Sequence, residues 1–532
     1  MQRKTAMKKL LCLLLCGLLL VGCARKPEAY IPTGNGLTWD EESPNPTEPL
    51  PTESEQAPLV LTYYPKVTMN PYECTDFTNR ALFSLLYQGL FTVDRDYKVE
   101  PVLCKQYRVS EDMKTYTFYL EKAAFSDGEV LAPEDAVASL KAASESPYYG
   151  GRFQHVSDIA LSDDGGVTIQ LRTPYENLPI LLDVPIVKEE EVGAMRPLGT
   201  GPYYYREIAT SAELLRHKHW WCKGELAIQP NQIPLLRAQS VTQIRDAFEF
   251  EGLSLVCADP GSDRYADYRC DFELWDCENG EFLYLTTSKA SKVFSDPQVS
   301  ANLTHVIDRD LLVDELYRGF ARSAALPAAP QSPYYSQALA DKYGLDAVKF
   351  SEAVKNAGFQ GEKIILLVNG GDSLRVRSAR AIKKMLEECG LEVELSTPTG
   401  SNYHMMLKQW NFDLHLGQTK LSPNMDLTQF FSENGVLSWG AVNDPAIYAL
   451  CQQALENHGN YYTLHKTIME QGRLVPVLFG SYAVFATRGM VTNLTPARDN
   501  IFWYSVGKSM EQALIQDAVI APTETTALET AP

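Results

Sequence analysis

The sequence predicts an α/β protein, and three observations predict it. Strand-like and helix-like segments alternate along the chain with no fixed-period repeat. A β-α-β-α-β pattern runs from Ile364 to Leu416. Thr115-Tyr-Thr-Phe-Tyr-Leu120 alternates with the period of a half-buried strand, shortly before a helix start at Pro133.

In order along the chain, Arg3, Lys4, Lys8 and Lys9 precede an apolar run from Leu10 to Val21 and a small residue, Gly22. Residues 1–22 read as a secretory signal, too short to span a bilayer comfortably. Residues 23–57 are rich in Pro, Glu, Thr and Gly and poor in large apolar residues, so they read as a disordered spacer. After the strand 115–120, Ser126-Asp127-Gly128 reads as a turn. Pro133 then suits a first helical position, Glu134 and Asp135 suit the helix dipole, and Ala136, Val137 and Leu140 form a buried stripe.

Ile364-Ile-Leu-Leu-Val368 is an unbroken apolar run, as a strand covered on both faces requires. Ala379, Ile382, Leu386 and Cys389 mark the helix that follows, and Gly390 stops it. Leu391–Leu395, Tyr403–Trp410 and Phe412–Leu416 read as strand, helix and strand. Ligands of open α/β sheets bind beyond the carboxyl ends of the strands, so a loop from Gly417 to Asp426 is the expected site region. Residues 516–532 read as a frayed tail.

The formal net charge is −19, and it becomes −23 once the four basic residues before Cys23 are removed. Such a surface repels nucleic acid and anionic lipid heads. An apolar fraction of 45% with no second bilayer-length run is that of an ordinary globular protein. Beyond Cys12, Cys16 and Cys23, eight cysteines remain: Cys74, Cys104, Cys222, Cys257, Cys270, Cys277, Cys389 and Cys451. That even count permits disulfides without fixing a pairing, and none forms a CxxC pair.

Leu20-Val21-Gly22-Cys23 resembles the lipobox of bacterial lipoproteins. The resemblance implies a diacylglyceryl Cys23, enough for stable attachment to a membrane outside the cytoplasm. Further segments, in order, resemble the family 5 solute-binding proteins of ABC importers. They are Met69-Asn70-Pro71, Leu86-Tyr87-Gln88-Gly89-Leu90-Phe91, Phe125–Gly128 with Leu131–Asp135 and Ser139-Leu140, Gly199-Thr-Gly-Pro-Tyr203, Trp220-Trp221, Phe294–Asp296 and Ile307-Asp308-Arg309.

That likeness runs from about Leu59 to Gly507 and implies a two-lobed clamshell of the type II periplasmic-binding-protein kind with an additional inserted domain. Lobe I is expected in 58–88, 196–280 and 471–515, the inserted domain in 89–195, and lobe III in 281–470. The resemblance further implies a monomer that captures a peptide or other small solute, nickel or oligosaccharide in some members, and docks on ABC permease subunits. No cofactor, metal or catalytic residue is expected.

In peptide-binding members the ligand is held through its backbone like an added strand. The family's Gly-Trp loop and its ammonium-binding Asp align with Gly417-Gln418-Thr419-Lys420-Leu421, where Gln418 replaces Trp and Leu421 replaces Asp. A buried ammonium without a carboxylate costs several kcal/mol. A free-amine solute therefore needs another acid, for which Asp76, Asp413 and Asp426 are candidates. Thr286 stands where Asn is common, Trp439 and Asn443 align near the cleft, and Thr75 and Asp76 approach from the other lobe.

Two other readings need weighing. Gly371-Asp372-Ser373-Leu374 spells the signature of GDSL esterases, but the Asp-x-x-His that family uses is missing from the chain, and a Gly-rich turn capping a helix explains the residues. His217 and His219 sit at strand spacing beside Trp220 without a third ligand nearby, so they read as surface imidazoles. A non-transporting sensor of the same fold is not separable by sequence.

Overall fold

The computed structural model describes residues 58–222, 226, 228–260, 268–491 and 493–515. The signal, Cys23, the spacer and the tail lie outside the described residues.

Two long strands organise the fold. Phe272–Thr287 has 16 residues and Leu474–Thr487 has 14, and they pair antiparallel. A strand of that length spans roughly 50 Å, enough to belong to two layers at once. Around them lies a seven-stranded sheet in the order Leu255–Ala258, Leu474–Thr487, Phe272–Thr287, Leu414–Lys420, Lys363–Val368, Glu392–Ser396, with Ala321–Ser323 also on the second long strand.

Its far half is the β-α-β-α-β unit. Lys363–Val368 pairs parallel with both Glu392–Ser396 and Leu414–Lys420, and helices Ser373–Glu388 and Gly400–Gln409 make the crossovers. One expectation is corrected here. Gly417 to Lys420 are strand rather than loop, because they pair with Glu281 to Tyr284 after the parallel partner has ended. The connecting loop starts only after Lys420.

A four-stranded sheet holds Leu61–Tyr63, Gln232–Arg237, Ser211–Arg216 and Tyr203–Ile208 in that order. Another holds Cys104–Val109, Thr115–Leu120, Val167–Leu171 and Val156–Leu161. Helix Pro133–Glu145 packs with the latter sheet and buries Ala136 and Leu140. Asp135 fixes both its start and its neighbour: one carboxylate oxygen accepts from Ala132 N (2.8 Å) and the other from Glu189 N (2.8 Å).

Several of the recognisable short motifs are scaffold. Asn70 is fully buried, donates to the carbonyls of Val192 (2.7 Å) and Ala194 (2.9 Å), and accepts from Tyr72 N (3.0 Å). Gln88 donates to Tyr504 Oη and accepts from Trp221 Nε1, both at 2.8 Å. Arg309 is buried and donates to the carbonyls of Ala324, Pro476 and Thr304. Gly201 in Gly-Thr-Gly-Pro-Tyr donates to Leu86 O (3.0 Å), and a Cβ there would be driven into the Leu85–Leu86 backbone. Because backbone cannot swing aside as a side chain can, Gly201→Ala should cost about 2 kcal/mol in urea unfolding.

Cys74, Cys104, Cys257, Cys270, Cys277, Cys389 and Cys451 carry free thiols. His217 corrects the surface reading. It is 5% exposed, its Nδ1 lies 3.4 Å from Gly201 O, and burial pushes its pKa below the usual value.

Candidate functional site between the lobes

The pairing of the two long strands slips between Glu278 and Phe282, where Gly280 adopts φ +70°. A left-handed residue is easiest as glycine, and here a Cβ would also strike the guanidinium of Arg498. The slip places Glu278 and the end of strand Leu414–Lys420 against three distant segments. These carry Arg80 on helix Phe77–Arg80, Tyr148 and Tyr149 after helix Pro133–Glu145, and Arg498-Asp499 near the end of the described chain.

Lys420 joins them. Its Nζ lies 2.5 Å from Asp499 Oδ2 and donates to Tyr148 Oη at 2.7 Å. The Tyr148 ring carries the Arg80 guanidinium on its face, 3.2 Å from the centroid, a cation–π contact. Arg80 also donates to Cys74 O (2.9 Å), Pro71 O (3.2 Å) and Tyr149 Oη (2.8 Å). Asp499 N donates to Glu278 O (2.9 Å), Tyr97 Oη donates to the Glu278 carboxylate, and Arg498 Nη2 donates to Leu421 O.

The charges in this cluster perturb one another. Burial pulls the Lys420 ammonium down to about 8, with Asp499 pulling the other way. Burial alone would raise the Asp499 carboxyl, but Lys420 and Arg498 overcome it and hold it below the ordinary carboxylate value. Burial raises the Glu278 carboxyl, and the Tyr97 hydroxyl partly offsets it. Four cations, Arg80, Arg152, Lys420 and Arg498, face four carboxylates, Asp183, Glu278, Glu281 and Asp499. The cluster can hold a charged solute and bind the segments around it.

The structure scatters the residues expected from sequence. Asp76 caps helix Phe77–Arg80, accepting from Asn79 N at 3.2 Å, and Thr75 beside it is exposed. The next residue, Phe77, stacks on Tyr482 of the second long strand with centroids 3.5 Å apart, so this helix does reach the crossing strands. Leu421 is buried and gives its carbonyl to Arg498. Gln418 Nε2 donates to the Glu281 carboxylate, and Thr419 sits opposite Phe282.

Four others pack elsewhere. Thr286 is buried with its Oγ1 3.4 Å from His415 Nδ1, and His415 Nε2 lies 2.7 Å from Tyr403 Oη. Gly417 lies under the Tyr284 ring. Trp439 packs with Trp410, whose Nε1 donates to its carbonyl (2.9 Å). Asn443 N donates to Gly440 O at 3.4 Å.

Two candidate acids are spent. Asp413 accepts from Ser291 Oγ (2.6 Å) and Ile365 N (2.8 Å). Asp426 is buried against His155 Nε2 (2.7 Å) and accepts from Thr428 N (2.8 Å). At the Gly-Asp-Ser-Leu segment, Asp372 caps helix Ser373–Glu388 through Arg375 N (2.9 Å) and pairs with the Arg375 side chain. The residues that sequence reasoning missed are Arg80, Tyr97, Tyr148, Glu278, Arg498 and Asp499. Lys420 was inside the expected segment without a role. The available signal was the Arg498-Asp499 pair in an otherwise uncharged stretch.

An α/β clamshell whose halves share two long strands, with a buried charge cluster at the crossing, defines a solute-binding protein. The model of bacterial extracellular solute-binding proteins, family 5, middle region, matches residues 98–436, and the chain belongs to this family. It is 25% identical over 355 residues to the glutathione-binding protein GsiB of Salmonella choleraesuis, covering 62% of this chain and 67% of that protein. Solved structures share the fold. NikA from Brucella suis in complex with Fe(III)-EDTA superposes with TM-score 0.67 at 19% identity, over 83% of this chain and 98% of that one. A putative peptide binding protein AppA from Clostridium difficile gives 0.68 at 16% identity, over 84% and 98%. Among the described residues, no helix is long and apolar enough to cross a membrane.

Proposed function

We propose that the chain is a lipid-anchored carrier that closes its two lobes over a peptide or related small solute and presents it to an ABC permease, without catalysis and as a monomer. The observation that carries this reading is Lys420, a strand residue of one half, held against Asp499 and Tyr148 from the other segments. A buried ion cluster that joins separate segments is where a clamshell gains or loses closure energy on binding.

Thr75, Asp76, Gln418, Thr419 and Leu421 border this cleft in our reading, while Thr286, Gly417, Trp439 and Asn443 shape its supporting layer. Of the three candidate acids, Asp76 caps a short helix through Asn79 N and makes no ion pair among the described residues, so it is the acid for a solute ammonium. The binding specificity of the Salmonella relative makes a glutathione-sized peptide a sensible first solute to test.

Native mass spectrometry of freshly purified protein should reveal a small bound solute. Adding that solute back should raise the melting temperature, by RT ln(1 + [L]/Kd) in free energy. Ester turnover that disappears in Ser373→Ala would overturn the reading. Anchoring is checked separately: Cys23→Ala should release the protein from the membrane fraction and abolish labelling by a radioactive fatty acid, and retention of both would remove the lipid anchor from this account.

A further inference from the structure

Two stretches distant in sequence meet at both of their ends. Residues 148–155 follow helix Pro133–Glu145 and lead into strand Val156–Leu161, and residues 420–426 run from strand Leu414–Lys420 toward helix Thr428–Phe431. At the inner end Lys420 Nζ donates to Tyr148 Oη, inside the charge cluster. At the outer end the buried carboxylate of Asp426 lies 2.7 Å from His155 Nε2 and accepts from Gln154 Nε2. The seam continues beyond these stretches. Glu176, just past strand Val167–Leu171 of the same sheet, accepts from His458 N (2.9 Å) and lies 3.7 Å from His458 Nδ1, at the junction of helices Pro445–Glu456 and Tyr461–Gln471.

Two of the chain's eight histidines pair with a carboxylate among the described residues, and both do so across this seam, in opposite senses. The sheet side gives one imidazole and one carboxylate, and the helix side gives the complement. Water reaches both pairs at their margin, since His155, Glu176 and His458 keep 18%, 48% and 28% of their side chains exposed. The interior of the seam is polar and incompletely bonded. His458 Nε2, Tyr175 Oη and Asn424 Oδ1 are buried without a partner, although Tyr175 and Asn424 face each other across it. A permanent core pairs almost all such groups, whereas contacts between parts of a chain that move against one another are polar and of modest strength.

We propose that His155–Asp426 and Glu176–His458 form a clasp that shuts with the lobes and parts when they open. The proposal rests on reading the chain as a clamshell carrier, and it names residues that hold the closed state without touching solute. Residues 420–426 tie the clasp to the cleft, because whatever draws Lys420 toward Tyr148 carries Asp426 toward His155. All four are positioning residues. Their effect is on how long the cleft stays shut.

The test labels the full chain at pH 7 with diethyl pyrocarbonate, which modifies accessible neutral imidazole nitrogens, and reads each histidine by peptide mass spectrometry. His415, buried between Thr286 and Tyr403 and away from the seam, reports unfolding. His155 and His458 should react at a shared rate at least about tenfold above that of His415, as local opening outruns global opening. Glu176→Gln should raise the rate at His155, which it does not touch, and Asp426→Asn should raise the rate at His458, each by about threefold with His415 unchanged. In a static contact each substitution would loosen only its own partner. Absence of these cross effects, or rates at His155 and His458 no faster than at His415, would overturn the proposal. Should Asp426→Asn unfold the chain, His415 would react too, and Glu176→Gln, at a half-exposed side chain, then decides alone.

The outcomes separate from those of the proposed function. A solute that co-purifies and can be restored, in a chain without cross effects, would sink the clasp and leave capture intact. Cross effects in a chain that neither carries nor regains a solute would sink capture and leave the motion.

Discussion

Acid should destabilise this protein steeply, starting near pH 6.5. His465 is fully buried, packed against Tyr461, and neither ring nitrogen has a partner. Burial pulls its pKa to about 3, and burial followed by the Arg375 charge does the same to His415. The sign follows from proton counts. Below pH 6.5 the unfolded chain takes up a proton on each imidazole and the folded chain does not, so folding loses ground until the pH reaches about 3. A drop of about 3.5 units is worth on the order of 5 kcal/mol for each histidine. Equilibrium unfolding measured from pH 7 to pH 3.5 should show the loss. His465→Leu should remove its share of the slope without lowering stability at pH 7. An unchanged slope would mean that His465 is protonated in the folded state.

Asp499→Ala should be the most damaging single change in the charge cluster. It leaves Lys420 beside Arg80 and Arg498 without its salt-bridge partner, with Glu278 and Glu281 as the remaining nearby carboxylates. Breaking one partner of a buried pair costs about 3–5 kcal/mol. The lower end, about 3 kcal/mol, applies here because 26% of the Lys420 side chain still reaches solvent. Removing both charges, with Lys420→Met and Asp499→Ala together, should recover part of the loss, since the uncompensated ammonium disappears with its partner. A double variant as unstable as the sum of the singles would show that the two residues act independently.

How much of this was legible in the sequence depends on what each residue does. Strand Thr115–Leu120, the helix from Pro133 and the parallel crossover unit follow from periodicity and capping, which are local. The recognisable motifs were also legible, and the structure gives them a physical reason: Asn70, Gln88, Gly201 and Arg309 hold backbone to backbone over long sequence separations. The site was less legible for the same reason. Its charges come from positions 80, 278, 420 and 498–499, and apart from the isolated Arg498-Asp499 pair nothing local distinguishes them from surface charges. Strand pairing moved Gly417 to Lys420 from loop to sheet, and the pleat then sent Gln418 toward Glu281 and Gly417 under Tyr284.

The two long strands carry a consequence for folding. Phe272–Thr287 and Leu474–Thr487 supply ladder hydrogen bonds to both halves of the sheet, and nearly 200 residues separate them in the chain. Neither half can complete its sheet until Leu474–Thr487 has been made. The halves are therefore one cooperative unit, with a closing step that depends on contacts distant in sequence, and such contacts form slowly. Excising either half as a separate fragment would leave a ribbon of unpaired backbone where the other half had been.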